Sequence, residues 1–471
     1  MKSSIRINAF CLLMMMFASC TTIGPEYKGE DSRKEAVQTK EAWSDSSAVK
    51  VSPDQVIQKD WWTNFKDPYL DKLVADAVSG SFDLKILAGR IQEAAATITI
   101  EKSSRLPSVE ASTGESNIKW ESNRDQGTTT HRGTQDVKIG LQVRWEIDIW
   151  GKNKKGFLAT EAEYKATGAD YRAGYLTLVS DVANAYIQIR QTDKQAGMTR
   201  TFYKNNSKIL KIYENQYSEG LVSKEKVLRQ KAEVQSLEQE LLELDRQRKT
   251  LENRIAALLG KPPGELKIAD TEAREPLQPV KVPVGLPSEL LSRRPDILAA
   301  EYRLVKAYHN IGKAKAERLP SVSLVGNASL SSLLSAWSLG FMPDIKLPIF
   351  DGGKAKANVL TNEARAQIAA DEYRKKVIEA FKEVEDALVS LDSRAKQKAV
   401  LEDKVNGLRQ VQTQIHGKLK MGLISQLEVL DIERELLNAE KSLLEMHRSL
   451  LEDNVTLYKA LGGGWPKESV Q

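Results

Sequence analysis

The stretch Val137–Ile149 reads VKIGLQVRWEIDI, with an apolar side chain at every odd position and a polar residue or glycine at every even position. This alternation is typical of a β-strand that has one apolar face and one polar face. A second stretch, Trp337–Ile349, alternates in the same way over most of its length. Both are long enough to cross a membrane as strands, which takes about 9 to 11 residues. A half-buried sheet of a soluble protein shows the same alternation, so both interpretations stay open on the strands alone.

The sequence around these strands predicts very long helices. Of the 471 residues, 28% are charged and 6% are aromatic, which favours long amphipathic helices over several compact cores. Helix is predicted near 68–106, 151–218, 220–259, 294–318, 354–419 and 425–461. Spacings of three and four predict two coiled-coil seams. Their members are Val234, Leu237, Leu241, Leu244, Arg248, Leu251, Ile255 and Leu258 in one, and Leu436, Ala439, Leu443, Met446, Leu450, Asp453, Leu457 and Ala460 in the other.

The chain contains an internal repeat. Arg105–Val109 reads RLPSV and recurs at Arg318–Val322, and the GLVS of Gly220–Ser223 recurs as GLIS at Gly422–Ser425. The sequence therefore predicts two copies of one helix–hairpin–helix unit. A linker between them carries too many prolines for a regular helix, namely Pro262, Pro263, Pro276, Pro279, Pro283 and Pro287.

These observations divide the chain as follows. The predicted regions are a signal peptide at 1–19, an N-terminal segment at 20–67, a first repeat at 68–260 with strands near 108–123 and 134–150, a Pro-rich linker at 261–293, a second repeat at 294–465 with strands near 321–332 and 336–350, and a tail at 466–471.

The first twenty residues, MKSSIRINAFCLLMMMFASC, have the pattern of a secretory signal. Lys2 and Arg6 precede an apolar run that ends in small residues and Cys20. This ending resembles a bacterial lipobox, which makes Cys20 the predicted lipidation site, and Thr21 after it resembles the signal for the outer membrane. An ordinary cleaved signal with an incidental cysteine is the alternative. No later segment reaches 18 unbroken apolar residues, so no membrane-spanning helix is predicted in the mature chain.

Composition and motifs argue against several classes of protein. Basic and acidic residues nearly balance, at 69 and 64, so nothing indicates nucleic acid. The four histidines are scattered and show no HExxH or Cys/His spacing, and no Gly-rich phosphate loop follows a strand. The mature methionines lie far apart. The sequence therefore predicts no catalytic residue, no cofactor and no metal site, and the chain is not expected to be an enzyme.

Four strands cannot close a membrane barrel, because the smallest known ones use about eight. Open strand edges are not tolerated in lipid, since their backbone groups would have no hydrogen-bonding partner. If the strands do span a membrane, the chain must pool them with other copies of itself.

Six motifs, in order along the chain, resemble those of the TolC-like outer-membrane efflux proteins, and within them the lipidated branch of OprM and CusC type. They are Gly24–Tyr27, Trp61–Leu70, Arg293–Ile297, Arg318–Val322, Leu347–Lys354 and Tyr458–Trp465. The resemblance implies a mainly α fold with a membrane β-barrel. In it, a homotrimer pools four strands per chain into one 12-stranded barrel in outer-membrane lipid, and a long α-helical coiled-coil barrel continues through the periplasm.

The resemblance also implies a passive function. Such a protein is the exit duct of a tripartite efflux system, and conducts what an inner-membrane RND-type pump and a periplasmic adaptor, or membrane fusion protein, deliver. The odd residues of VKIGLQVRWEIDI are then expected to face lipid, and Lys138, Gln142, Arg144, Glu146 and Asp148 to face water.

A periplasmic gate is predicted at the turns that follow the longest helices. The resemblance places acidic residues of the constriction at Glu428 and Asp431, whose spacing puts both carboxylates on one helical face. The repeat relates these positions to Lys226 and Arg229, so acidic and basic helices are expected to alternate and attract each other. A solvated charged face on an ordinary coiled coil is the alternative.

Three other functions are considered. One is a structural or interaction lipoprotein whose coiled coil stays in the periplasm, and another is the exit duct of a type I secretion system. A secreted enzyme is the third, but the sequence offers no candidate nucleophile and base. Nothing in the sequence separates drug, metal and polypeptide export.

Overall fold

The computed structural model describes residues 23–27, 29, 59–120, 132–280, 282, 287–331 and 336–463. Over these residues the fold is mainly helical, with one antiparallel sheet. A 3₁₀ turn, Trp61–Phe65, is followed by α1 Pro68–Gly80, α2 Phe82–Ser103, β1 Ser108–Trp120, β2 Arg132–Ile147, α3 Lys152–Ser218, α4 Lys224–Leu258, α5 Pro287–Arg293, α6 Pro295–Ala316, β3 Ser321–Ser331, β4 Ala336–Lys346, α7 Lys354–Lys420 and α8 Gln426–Ala460.

The helices come in pairs of matching length. Both α3 and α7 have 67 residues, and both α4 and α8 have 35. A helix of 67 residues is about 100 Å long at 1.5 Å per residue, so it must pack sideways along its length.

Two details differ from the sequence prediction. The helix predicted over 68–106 is two helices, because Ser81 leaves the helical conformation with ψ of 125°. The break lies where the backbone of Gly80 comes so close to the Leu259 carbonyl that a Cβ on Gly80 would collide with it. The end of the Pro-rich linker is helical, since α5 begins at Pro287, a first-turn position where a missing N–H costs nothing.

The polar residues inside the predicted seams have partners on neighbouring elements. All seam members are buried or half-buried. Arg248 donates to Asp193 at 2.6 Å and to Glu252 at 2.7 Å, and Arg394 donates to Asp453 at 2.7 Å. A charged seam position is therefore neutralised by an opposite charge, as burial of a charge requires.

The chain divides into two compact units. The first comprises the described parts of 1–37, 89–169 and 299–375, and the second those of 38–88, 170–298 and 376–471.

The first unit holds the sheet and the described beginning of the N-terminal segment. The strand order is β1-β2-β3-β4 and every pair is antiparallel. Tyr27 of the N-terminal segment packs on α6, where its hydroxyl donates to Glu301 at 2.6 Å and its ring lies edge-on to Tyr308, with 6.0 Å between ring centroids. Gly24 contacts Gly312 so closely that a Cβ on either would meet backbone.

The second unit is anchored by the Trp61–Leu70 motif. The Trp61 ring stacks on Tyr458, with 4.8 Å between centroids, and is 1% exposed. Asp67 caps α1 by accepting from the Tyr69 amide at 2.9 Å, and its other oxygen accepts from the Tyr186 hydroxyl at 2.8 Å and pairs with Arg190. One carboxylate thus starts α1 and also fixes it against α3.

Candidate functional site

The sheet has one continuous apolar face. The strand register brings the odd residues of β2 beside apolar or small residues of its neighbours. Across the four strands the aligned rows are Thr113, Ile139, Leu330 and Trp337; Ala111, Leu141, Ala328 and Leu339; and Val109, Val143, Gly326 and Phe341. Leu141 is 51% exposed and Leu339 is 77% exposed. The large apolar side chains of this face are exposed in the described part of one chain, an arrangement that water does not favour.

The opposite face of the sheet is polar. Its central row runs Glu110, Gln142, Asn327 and Gly340, and the Ser329 and Ser338 hydroxyls lie 2.8 Å apart on the next strand pair. Val325 and Met342 are apolar exceptions that lie opposite each other on this face. In the rows named here, apart from Val325 and Met342, the register separates apolar from polar side chains, as in a membrane strand.

Asp148 has a role that the sequence interpretation missed. It was expected among the polar residues of the strand, but β2 ends at Ile147. The Asp148 carboxylate accepts from the amides of Asn153 at 3.1 Å and Lys154 at 2.7 Å. Asp351 likewise accepts from the Ala355 amide at 2.8 Å. Each carboxylate satisfies free N–H groups at the start of a 67-residue helix.

The turns after α3 and α7 share one geometry. Gly220 and Gly422 have φ of 73° and 71°, a left-handed conformation that favours glycine. Ser223 and Ser425 then cap the next helices by accepting from the amides of Lys226 and Glu428. The Gly-Leu-x-Ser motif is thus a helix stop followed by a helix start.

The acidic residues of the predicted gate lie on the first turns of α8 and are exposed. Glu428 also closes a capping box, since its carboxylate accepts from the Ser425 amide at 3.1 Å. No partner of the Asp431 carboxylate is found among the described residues.

The basic residues of the predicted gate lie on α4. Arg229 pairs with Glu225 of its own helix at 2.9 Å, and Lys226 lies over the Tyr213 ring, 4.5 Å from its centroid. Both line a cavity of about 300 Å³ that Ser425 and Arg434 also line, so the first turns of α4 and α8 are neighbours. In the described part of one chain, however, no ion pair joins these two residues to Glu428 or Asp431.

Other charges link α4 to α8 directly. Arg434 pairs with Glu233 at 2.9 Å, and Lys441 pairs with Glu240 at 2.6 Å. Glu240 also accepts from the Thr199 hydroxyl of α3 at 3.1 Å. These pairs, which the sequence interpretation did not single out, connect three helices beyond the turns.

Arg294 lies at the junction of α5 and α6, within the Arg293–Ile297 motif. The sequence interpretation did not identify it as a buried residue that connects several helices. The Arg294 side chain is 7% exposed. Its guanidinium donates two hydrogen bonds to Asp296, at 3.0 and 2.8 Å. It also donates to Glu383 at 2.6 Å and to the Ala460 carbonyl at 3.1 Å. The motif therefore joins α6, α7 and the end of α8.

The remaining site predictions have the following outcome. Cys20 lies outside the described residues. Within the residues that the structure describes, no group of three or more His, Cys, Asp and Glu side chains is placed to hold a metal. No described helix combines the length and apolarity needed to cross a membrane.

Comparison with known proteins agrees with this architecture. The family model described as outer membrane efflux protein matches residues 73–261 and 286–463. The chain is 29% identical over 462 residues to the probable outer membrane lipoprotein SilC of Salmonella typhimurium. The aligned region covers 96% of this chain and 97% of SilC. It is 31% identical over 412 residues to the cation efflux system protein CusC of Escherichia coli O6:H1, covering 86% of this chain and 88% of that one.

A solved structure shares the fold. The outer-membrane channel OprN superposes with a TM-score of 0.83 at 27% identity, and the match covers 94% of this chain and all of that one. Fold and sequence thus agree over nearly the whole length. With its apolar-faced sheet and paired long helices, this chain belongs to the outer membrane efflux protein family.

Proposed function

We propose that three copies of this chain form the outer-membrane exit duct of a tripartite efflux system. The duct passively conducts what an inner-membrane RND-type pump and a periplasmic adaptor deliver. The observation that carries this proposal is the four-stranded sheet, with its continuous apolar face and with β1 and β4 at its edges.

The edge strands supply the argument for a trimer. In lipid, every backbone N–H and C=O needs a partner inside the protein, so an open sheet edge is not tolerated. Pairing β1 of one copy with β4 of the next closes the sheet, and three copies give twelve strands. The apolar rows then face lipid, and the row of Glu110, Gln142 and Asn327 faces the lumen.

Internal duplication supplies the argument for the helical part of the duct. The equal lengths of α3 and α7, and of α4 and α8, fit two copies of one repeat, at 68–260 and 294–465. The linker at 261–293 joins them. Each chain has two coiled-coil seams, so three chains together have six. These seams support a coiled-coil barrel that extends into the periplasm.

The N-terminal segment acts as a lipid anchor in this proposal. Residues 1–19 are a signal peptide, and Cys20 becomes the acylated first residue of the segment 20–67. Acyl chains tether a protein to one leaflet and do not cross it. The contact of Tyr27 with Glu301 supports an N-terminal segment that is fixed to the body of the first unit.

The gate proposal needs charges from neighbouring chains. Within one chain Arg229 is paired with Glu225, and Glu428 closes its own cap. The attraction between acidic residues of α8 and basic residues of α4 then acts between neighbouring copies of the chain. Asp431 is the acidic residue available for this attraction. Threefold symmetry would repeat each charge into a ring.

Asp431→Lys tests this gate without removing the capping box. Repulsion between the new lysine and the basic residues of a neighbouring α4 should raise single-channel conductance in planar bilayers and lower cation selectivity. Lys404→Glu, a charge reversal on a different helix, is the control. Wild-type conductance and selectivity in an intact Asp431→Lys trimer would remove Asp431 from the gate.

The proposal as a whole is tested by mass and conductance together. The protein extracted in mild detergent should have the mass of three chains, and the same preparation should form channels in planar bilayers. A monodisperse monomer, or a trimer that conducts no ions under any applied voltage, would contradict the duct.

A further inference from the structure

A cavity of about 520 Å³ lies in the second unit, beneath linker residues 271–278. Its other walls are α3, α7 and α8. Cavities of roughly 300 to 1,000 Å³ are typical of small-ligand sites.

The linker is fixed over this cavity by hydrogen bonds from several elements. His447 bonds to the Leu277 carbonyl at 2.7 Å, and the Val280 amide donates to Asn454 at 2.7 Å. Arg190 donates to the Glu275 carbonyl. Because these contacts hold the roof in place, the cavity is formed before any ligand enters.

The walls of the cavity are strongly cationic. Two carboxylates, Glu402 and Glu440, line it. The cationic lining residues are six, namely Arg190, Lys194, Arg274, Lys398, Arg409 and Arg448.

Four of these cations pair with Asp67, Glu402 or Glu440. Arg190 pairs with Asp67 at 2.5 Å, and Arg274 lies 3.8 Å from the same carboxylate. The other two use the carboxylates of the cavity itself, since Lys398 pairs with Glu402 at 3.0 Å and Arg409 with Glu440 at 2.7 Å.

The other two cations, Lys194 and Arg448, lie on α3 and α8. Lys194 has no carboxylate partner in the described part of the chain, whereas Arg448 has two acidic neighbours and one unsatisfied donor. Arg448 is 3.5 Å from Glu445 and 3.7 Å from Glu452, and its buried Nε has no acceptor among the described residues. A buried N–H without an acceptor costs free energy that a ligand oxygen would recover.

The histidine of the cavity adds no charge. Burial lowers the pKa of His447, and the nearby Lys398 lowers it further, against the opposing effect of the bond to Leu277. The neutral ring therefore donates its Nε2 proton to the Leu277 carbonyl, and leaves the cationic lysine and arginine as the anchors for a ligand.

The rest of the lining is largely apolar. Ile187 and Met198 contribute from α3, Leu277 from the linker, and Leu443, Leu444 and Leu451 from α8. A ligand that satisfies both parts of the wall needs an acidic headgroup and an apolar body.

We propose that this cavity binds an amphiphilic anion, with its acidic headgroup on Lys194 and Arg448 and its apolar body along the leucines of α8. Organic cations are repelled by the same walls. The site goes beyond conduction through the duct, because ligand binding at this cavity does not require an open channel.

Native mass spectrometry of the intact trimer tests the site, with decanoate as the probe. Decanol lacks the charge, decylammonium reverses it, and acetate lacks the apolar body. Decanoate should bind at up to one copy per chain, and each of the other three compounds should bind at least about tenfold more weakly.

The headgroup contacts are tested by Lys194→Gln and Arg448→Gln, separately and together. Both substitutions remove the positive charge and keep an unbranched polar side chain that is a good helix former. The double variant should weaken decanoate binding by about tenfold or more. Lys204→Gln, an exposed position on the same helix α3 outside the cavity, is the matched control and should bind like the wild type.

Two results would overturn the proposal. One is equal binding of decanoate and decanol to the wild type, and the other is unchanged decanoate binding in a folded double variant. The trimer as isolated distinguishes the source of the natural ligand. A retained adduct with the mass of a fatty acid or lipid indicates the membrane, whereas an empty trimer that takes up decanoate indicates a soluble acid.

Discussion

Replacing Arg294 by methionine should open the second unit locally, at the junction of α5 and α6. The side chain is 7% exposed and makes four hydrogen bonds, to Asp296, Glu383 and the Ala460 carbonyl. Methionine fills much of the same volume but leaves the Asp296 carboxylate partly buried without its main cation. Breaking a buried pair from one side costs about 3 to 5 kcal/mol.

The pKa of Asp296 shows how strong the arginine contact is. Burial by itself raises the pKa of this carboxyl, but the hydrogen bonds and charge of Arg294, the charge of Lys376 and the Ile297 amide lower it below its ordinary value. The resulting stabilisation is present above the unfolded pKa, about 3.9, and is lost as the pH falls through the lower folded pKa. In Arg294→Met the pKa of Asp296 should rise, because its main stabilising partner is gone.

Hydrogen exchange of the detergent-solubilised protein at neutral pH is the appropriate assay. Amides of 287–300 and 455–463 exchange through local opening. A loss of about 3 to 5 kcal/mol predicts exchange that is roughly a hundred- to a few thousand-fold faster, since 1.4 kcal/mol is tenfold. Residues 108–120 of the sheet should exchange as in the wild type.

Two further variants make the result interpretable. Arg246→Met removes the same side chain from an exposed pair with Glu243, where the arginine is 65% exposed, and should leave exchange unchanged. Adding Asp296→Asn to Arg294→Met removes the stranded charge and should slow exchange again. If Arg294→Met and Arg246→Met exchange alike, the buried guanidinium does not hold this junction.

Three other outcomes are expected. Cys20→Ser should abolish incorporation of a labelled fatty acid, while the strands still insert; unchanged labelling would disprove lipidation at this cysteine. Leu141→Arg on the apolar face should lower the yield of membrane-inserted protein, because an arginine in lipid costs about 2 to 4 kcal/mol. Gln142→Arg on the polar face should be tolerated. Equal yields of the two variants would contradict the assignment of the faces. Burial, with the charge of Lys155 and against those of Glu161 and Glu26, lowers the pKa of His309 to about 4. Between that value and the unfolded pKa of about 6.5 the unfolded chain binds more protons, so thermal stability should rise with pH across this window in the wild type and rise less in His309→Gln. An unchanged profile in His309→Gln would exclude His309 as the cause.

The sequence was most informative where a pattern is local and periodic. A strand alternates with a period of two and a helix with a period near 3.6, so the faces of β2 and the seams of α4 and α8 can be read from apolar spacing. The Gly-Leu-x-Ser turns were visible as well, since only glycine readily adopts the left-handed conformation at Gly220 and Gly422. The repeat then related the two halves of the chain without any structural information.

The sequence interpretation was incomplete where a residue's contacts depend on where an element ends or on how two elements pack. Asp148 looked like one more polar strand residue, and only the strand's end at Ile147 makes it a helix cap. Glu428, a predicted gate residue, also accepts from the Ser425 amide, a contact that the sequence interpretation did not name. The break at Ser81 follows from the approach of Gly80 to Leu259, which no helix propensity encodes.

The sequence by itself therefore determined most of the elements, their order and the alternation of β2, because each depends on backbone geometry over a few neighbouring residues, and its motifs indicated the family. The tertiary structure decided which charges meet. Tyr186 and Asp67 are 119 residues apart in sequence, and the cavity beneath the linker is built from three helices and the linker. Such contacts depend on how whole elements pack, and packing is set by the summed burial and pairing of many side chains, which no local period records.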